Sequence, residues 1–290
     1  MFEGTMVALV TPFRNGSLDI GRLRALTAKM VDAGVDTIVP TGTTGESATL
    51  NHEEHLTVIR HVIEEAKGKA KVLAGTGSNA THEAIALTRA AKEAGADGAL
   101  LISPYYNKPT QEGLYQHFAL VAKEVSLPIV LYNIPGRTAV KIEPETLARL
   151  SKIPNIVGVK DSTGSLETVM DCINACRAGF EVYSGEDGLN VPILAVGGHG
   201  VVSVLGNLMP KELVRMVRLA LSGNIAEAAA LQRRYLPLIH ALFLETNPIP
   251  VKAALALLGE IEEEYRLPLV PMSEQNKRRL KEEMERACLL

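Results

Sequence analysis

Ile156-Val157-Gly158-Val159-Lys160-Asp161 is an aliphatic run that ends in a lysine and an aspartate. Strands of a parallel sheet are covered on both faces and read as continuous aliphatic runs, so this segment predicts a buried parallel strand. A lysine is rarely buried without a partner or a task. Desolvation favours the neutral amine, which is nucleophilic and can form a Schiff base with a carbonyl compound. The plain alternative is a rim lysine whose stem lies on the sheet while its head reaches water. The rest of the sequence decides between the two.

Runs of the same kind recur on both sides of this one. Strands are predicted at Met6–Val10, Thr37–Pro40, Val72–Gly75, Ala99–Ser103, Ile129–Tyr132, Ile156–Lys160, Glu181–Ser184 and Val201–Leu205, each followed by a segment of helical periodicity. Such alternation means a parallel sheet, and eight units point to an α/β fold of the (β/α)8 TIM-barrel type. A doubly wound open sheet needs fewer strands and a switch point. Ala33-Gly34-Val35-Asp36 and Ala94-Gly95-Ala96-Asp97 read as two copies of one helix-to-strand turn. Beyond the eighth strand the alternation stops, and Lys211–Ser222, Ile225–Leu244, Pro248–Gly259 and Ser273–Ala287 all have helical periodicity. The expected organisation is a catalytic barrel over residues 1–223 and a C-terminal helical appendage over 224–290, without a low-complexity linker between them.

Composition narrows the function classes. A chain of 290 residues with 47% hydrophobic content can bury a large core. No apolar stretch is long enough to span a bilayer and the first residues lack the features of a secretory signal, so a cytoplasmic protein is expected. A net charge of −3 with intermixed signs offers no basic stripe for nucleic acid. The cysteines Cys172, Cys176 and Cys288 are odd in number, and no nearby histidine completes a zinc set. Neither a metal nor a cofactor is expected.

In a (β/α)8 barrel the chemistry sits at the carboxyl ends of the strands. Gly42-Thr43-Thr44-Gly45-Glu46-Ser47 follows the second predicted strand, and its backbone N–H groups and hydroxyls suit a small anion. Tyr105 and Tyr106 follow the fourth, Tyr132 and Arg137 the fifth, and Lys160 the sixth. Together they suit one reaction type. Lys160 can condense with a 2-oxo acid, Thr43 and Thr44 can hold its carboxylate, Tyr132 beside Thr43 can relay protons, and Arg137 offers a fork for a second carboxylate. This convergence favours a functional lysine over a rim lysine.

Two other stretches imitate known motifs. Gly75-Thr76-Gly77-Ser78-Asn79-Ala80 follows a strand and opens a helix as a dinucleotide fingerprint would, but the acidic residue about twenty positions on, Asp97, precedes the next strand where it should end it. His52-Glu53-Glu54-His55 has its histidines three apart where a zinc-protease signature needs four, and reads as a solvated helix start. The glycines of Gly197-Gly198-His199-Gly200 lie before the eighth strand, so they do not supply the barrel phosphate site that follows it.

At Thr5 to Pro12, Gly42 to Glu46, Tyr132 to Thr138 and Val159-Lys160-Asp161-Ser162 the chain resembles the 4-hydroxy-tetrahydrodipicolinate synthase (dihydrodipicolinate synthase) family of pyruvate-dependent class I aldolases, and the resemblance covers nearly the whole chain. It implies condensation of pyruvate with L-aspartate 4-semialdehyde, the first committed step of the diaminopimelate route to lysine. It implies that Lys160 carries the pyruvate Schiff base and that Tyr132, Thr43 and Tyr106 form the proton relay. Tyr106 would enter a neighbouring subunit's site, in a homotetramer built as a dimer of dimers. Arg137 would bind the semialdehyde's carboxylate, while Thr44 and the backbone near Gly185 and Val201 would line the pyruvate pocket. Ser47, Ala48, His52, His55, Asn79, Glu83 and Tyr105 match the positions that bind feedback lysine, which implies inhibition by L-lysine. N-Acetylneuraminate lyase and the 2-keto-3-deoxy sugar acid aldolases share the lysine and tyrosine, but they resemble this chain less at Ile134 to Thr138. A lysine-sensing barrel without activity would have no use for Lys160, Tyr132, Thr43 and Tyr106 together.

Overall fold

A computed structural model describes residues 1–290. Eight parallel strands close into a barrel: β1 (Gly4–Ala8), β2 (Thr37–Val39), β3 (Lys71–Gly75), β4 (Gly98–Ile102), β5 (Ile129–Asn133), β6 (Ile156–Asp161), β7 (Glu181–Ser184) and β8 (Gly200–Ser203). Each pairs with its neighbours in sequence, and β1 closes the ring by pairing with β8. The helices between them are α1 (Ile20–Asp32), α2 (His52–Ala66), α3 (Thr81–Ala94), α4 (Gln111–Glu124), the short α5 (Pro135–Thr138), α6 (Pro144–Leu150), α7 (Leu166–Ala175), α8 (Asn190–Ala195) and α9 (Pro210–Leu221). Three more helices follow, α10 (Ile225–Ala241), α11 (Ile249–Leu257) and α12 (Glu274–Arg286). The predicted TIM barrel with a helical C-terminal segment is therefore borne out. None of the helices is long and apolar enough to cross a membrane.

The predicted strand limits shift by a single residue at most, except at β1 and at the end of β8, where they shift by two. β1 starts two residues earlier than expected and ends at Ala8, so Leu9 and Val10 lie past it, where Val10 N–H donates to Asn207 Oδ1 at 3.2 Å. β8 spans Gly200–Ser203 and stops before Val204 and Leu205, because the Asp187 carboxylate takes both of their N–H groups at 2.8 and 2.9 Å. A hydrophobic run does not reveal that a side chain will intercept the ladder. The predicted helix to Leu244 ends earlier, with α10 at Ala241.

The two turn copies make the same hydrogen bonds. Asp36 Oδ2 accepts from Thr5 N–H at 2.8 Å and Asp97 Oδ2 accepts from Val72 N–H at 2.8 Å, so each aspartate ties the start of its own strand to the preceding one. These ties fix the amino-terminal end of the barrel. The interior is filled by Phe2, Met6, Val39, Leu73, Leu100, Val130, Tyr132, Tyr183, Val202 and neighbours, a dry plug below the carboxyl-terminal mouth. Outside, one cluster of 41 buried residues runs from Val7 and Leu23 through Val217 to Tyr235, Leu255 and Met284. The C-terminal helices thus share their apolar core with the β1, α1, α2 and α9 side of the barrel.

Candidate active site

The alternation of β6 explains the position of Lys160. Val159 packs in the outer core, so its neighbour points inward, at the mouth end of the strand. Register places Lys160 beside Tyr132 on β5 and beside Tyr183 on β7. The lysine is 6% exposed, and its Nζ lies 4.0 Å from the Tyr132 ring centroid. Room for its stem comes from Gly185. A Cβ there would stand 2.8 Å from Lys160 Cε, 3.0 Å from the Asp161 carbonyl oxygen and closer still to Ser162 Oγ. Val201 contributes backbone alone, since its side chain packs in the outer core while Val202 faces the interior.

The Glu186 carboxylate borders the lysine, while that of Asp161, the next residue along β6, points to the opposite face. Burial pushes the pKa of Glu186 up, and Lys160 opposes that shift. Burial likewise raises Asp161, against the hydrogen bonds from Thr163 at 2.6 and 3.0 Å that favour its ionised form.

The loop after β2 is a wound turn. Gly45 N–H donates to Gly42 O at 3.1 Å, Glu46 N–H to Thr43 O at 3.1 Å and Ser47 N–H to Gly42 O at 3.3 Å. Thr41 and Glu46 both take the left-handed conformation, at φ 52°. Thr44 is buried, and its Oγ1 accepts from Asn247 Nδ2 at 3.0 Å. Arg137 is exposed at the end of β5, and its Nη2 donates to the Asn247 carbonyl at 2.9 Å. Asn247 therefore joins both expected carboxylate binders.

Thr43 and Tyr132 line a cavity of about 430 Å³ that continues past Ser47, Ala48, His52, His55, Glu83 and Tyr105. Here His52 Nε2 lies 2.9 Å from Glu83 Oε1, and Ser78 Oγ donates to Glu83 Oε2. Those bonds, Ser78's first and then His52's, hold the Glu83 carboxyl below its usual pKa. His55 is buried rather than solvated, and burial lowers its pKa to about 4, so the ring is neutral near pH 7. His52 does begin α2, where Asn51 and Glu54 form a reciprocal cap at 2.9 and 3.0 Å. Asn79 Nδ2 donates to the Tyr105 carbonyl at 3.2 Å and links this wall to the next loop. Six of the seven residues matched to a lysine site thus line one continuous space with two of the expected relay residues.

Tyr106 is not brought to Lys160. It is 91% exposed, with a left-handed backbone at φ 72°. The glycines of the false dinucleotide motif serve close packing: a Cβ at Gly75 would run into the Thr41 carbonyl, and one at Gly77 into the Ile102 backbone nitrogen.

Sequence reasoning passed over Asn247 and the ion pair between Lys252 and Glu46, whose side chains are 0% and 1% exposed. The signal was present. Lys252 stands in the aliphatic helix Ile249-Pro250-Val251-Lys252-Ala253-Ala254-Leu255, and the question asked of Lys160 applies equally to it.

Three comparisons agree with this geometry. Residues 1–287 match the model of the Dihydrodipicolinate synthetase family. A 4-hydroxy-tetrahydrodipicolinate synthase of Syntrophus aciditrophicus is 52% identical over 290 residues, covering 100% of both chains. Among solved structures, dihydrodipicolinate synthase from Aquifex aeolicus superposes with a TM-score of 0.98 at 48% identity over 99% of each chain. The enzyme from Cyanidioschyzon merolae, solved with lysine bound, gives 0.97 at 42% identity over 100% of this chain and 99% of that one. With a family match over essentially its whole length and relatives above half identity, the chain belongs to the dihydrodipicolinate synthetase family.

Proposed function

We propose that this enzyme condenses pyruvate with L-aspartate 4-semialdehyde, in the cytoplasm, as the committed step of lysine synthesis through diaminopimelate. The observation that carries the reading is the buried Lys160 amine at 4.0 Å from the ring of Tyr132, which shares a cavity wall with Thr43. The amine adds to the ketone carbon of pyruvate, and loss of water gives an iminium. Removal of a methyl proton gives the enamine, whose carbon attacks the aldehyde of the second substrate. The second substrate's own amine then closes on the imine carbon and releases Lys160 unchanged.

Residue roles follow from position. Thr44 and the turn N–H groups around it serve the pyruvate carboxylate, with the backbone at Gly185 and Val201 completing the pocket. Tyr132 and Thr43 move protons, and Arg137 holds the carboxylate of the semialdehyde. Tyr106 completes the relay of a second copy of the chain in a homotetramer built from such dimers, and its exposure on a left-handed residue supports this reading. Ser47, Ala48, His52, His55, Asn79, Glu83 and Tyr105 bind L-lysine as a feedback inhibitor, with Glu83 as the partner of an ammonium group.

The test is borohydride reduction in the presence of pyruvate followed by peptide mass mapping. A reduced pyruvyl adduct on Lys160 is expected, and its absence there refutes the mechanism. Calorimetry with L-lysine tests the second site: heat of binding together with reduced turnover is expected, and bound lysine that leaves turnover unchanged removes the regulatory role.

A further inference from the structure

We propose that the buried Glu46–Lys252 ion pair is a positioning device that holds the Thr43-Thr44 turn in its pyruvate-binding shape; this rests on the reading of that turn as the pyruvate cradle. Glu46 is the penultimate residue of the turn, and its N–H donates to the Thr43 carbonyl at 3.1 Å, so any movement of Glu46 is passed directly to Thr43. Its carboxylate is fully inside the protein. Oε1 takes the ammonium of Lys252, and Oε2 accepts from Arg266 N–H at 3.3 Å. Lys252 stands over the Phe13 ring at 4.3 Å and near the Tyr265 ring at 5.2 Å, both of them aromatic faces that stabilise a cation. Arg266 extends the network, donating to the Thr49 carbonyl at 2.9 Å and pairing with Glu54 on α2.

Stability alone does not account for such a pair. Removing two charges from water costs about as much as their attraction returns, and apolar replacements of similar volume often serve as well or better. A buried ion pair is directional and admits few arrangements, which makes it suited to fixing a loop. The Gly42–Ser47 turn needs that help. It lies outside the barrel strands and the α-helices, and apart from the two contacts of the Glu46 carboxylate its long-range ties are single hydrogen bonds from Thr11 Oγ1 to Gly45 O at 2.7 Å and from Asn247 to Thr44. Three of the four ties, from Lys252, Arg266 and Asn247, come from the C-terminal segment.

The full-length enzyme tests this through the single variants Glu46→Gln and Lys252→Met, the double variant Glu46→Leu/Lys252→Met, and Thr44→Val. Thermal midpoints and the pyruvate concentration for half-maximal borohydride trapping are read for each. The singles are expected to lose thermal stability, because each leaves a buried group unpaired. The double variant is expected to regain a midpoint within a few degrees of the parent, yet to need about tenfold more pyruvate. A double variant with parental midpoint and parental pyruvate dependence overturns the proposal. If the double variant does not fold, Glu46→Asp decides, since it keeps the charge but withdraws it by one methylene: at least threefold more pyruvate supports positioning, and unchanged dependence overturns it. Thr44→Val separates the two layers. If it leaves trapping unchanged, the cradle assignment itself is wrong and the proposal falls with it; if it weakens trapping while the ion-pair variants do not, only the positioning role falls.

Discussion

Gly185→Ala is the sharpest perturbation available at the candidate active site. A methyl group there would stand 2.8 Å from Lys160 Cε, whereas ordinary contact begins near 3.4 Å, so the lysine stem must yield by about 0.6 Å. The Asp161 carbonyl at 3.0 Å cannot yield, because it lies in β6 and accepts from Gly185 N–H at 2.7 Å. Ser162 Oγ can rotate aside. The strain therefore falls on the nucleophile. Misplacement of a reacting group by about 1 Å costs roughly a hundredfold in rate, so 0.6 Å predicts a loss of about ten- to a hundredfold in imine formation. Overpacking of this kind costs about 1–3 kcal/mol, which lowers the thermal midpoint by several degrees. Gly188→Ala is the control: its methyl would meet Leu236 Cδ1 at an ordinary 3.8 Å, and trapping should be unchanged. The assay is the rate of borohydride-trappable adduct with pyruvate, alongside calorimetric unfolding. A Gly185→Ala enzyme that traps pyruvate at the parental rate refutes the argument that this glycine makes room for the lysine.

Other outcomes follow from neighbouring features. His55 and His117 are both 6% exposed with pKa values lowered to about 4 by burial, so both are neutral when folded and protonate first in the unfolded chain. Their contribution is complete above the unfolded value near 6.5 and is lost as pH falls from there through about 4, at a cost on the order of 2 kcal/mol each by pH 5. Urea unfolding between pH 7 and 4.5 should show this decline, and a flat profile contradicts it. Asn247→Ala removes the bond to Thr44 Oγ1 but leaves the backbone acceptor of Arg137, so the pyruvate KM should rise about fivefold with the semialdehyde KM little changed. Equal rises in both would contradict this division. Tyr106→Phe should lower kcat by about tenfold or more without changing the oligomer seen by sedimentation, and full activity in that variant removes Tyr106 from the relay.

The barrel was readable because its signal repeats. Eight aliphatic runs with helical spacers identify the fold even though β1 and β8 each shift at their ends, and Asp187 shows why those ends are the weak point: its carboxylate stops β8 from 17 and 18 residues away. The mouth residues were readable because the barrel geometry names where to look, and Lys160 and Tyr132 emerge as strand neighbours from register alone. What was not readable depends on long-range partners. Asn247 sits about 200 residues from Thr44 and 110 from Arg137, and nothing in an Asn-Pro turn announces that role. His55 looked solvated because helix starts usually are, and only the packing of α2 against β3 buries it. Tyr106 is exposed and is not brought to Lys160 within a single chain, so one chain does not display the relay role expected of it.

The turn that carries Thr43 and Thr44 leaves the ribosome early, whereas all of the groups that fasten it except Thr11 arrive late. Asn247 is 203 residues downstream of Thr44, and Lys252 is 206 downstream of Glu46. At elongation rates of about 5–20 residues per second, this interval lasts on the order of 10–40 s, during which strands can pair while the turn has no fastening from α11. Synthesis itself therefore delays the fastening of this turn until nearly all of the chain exists. If the turn holds pyruvate as proposed, a nascent barrel would have an unfinished cradle, and competence would come with the last helices.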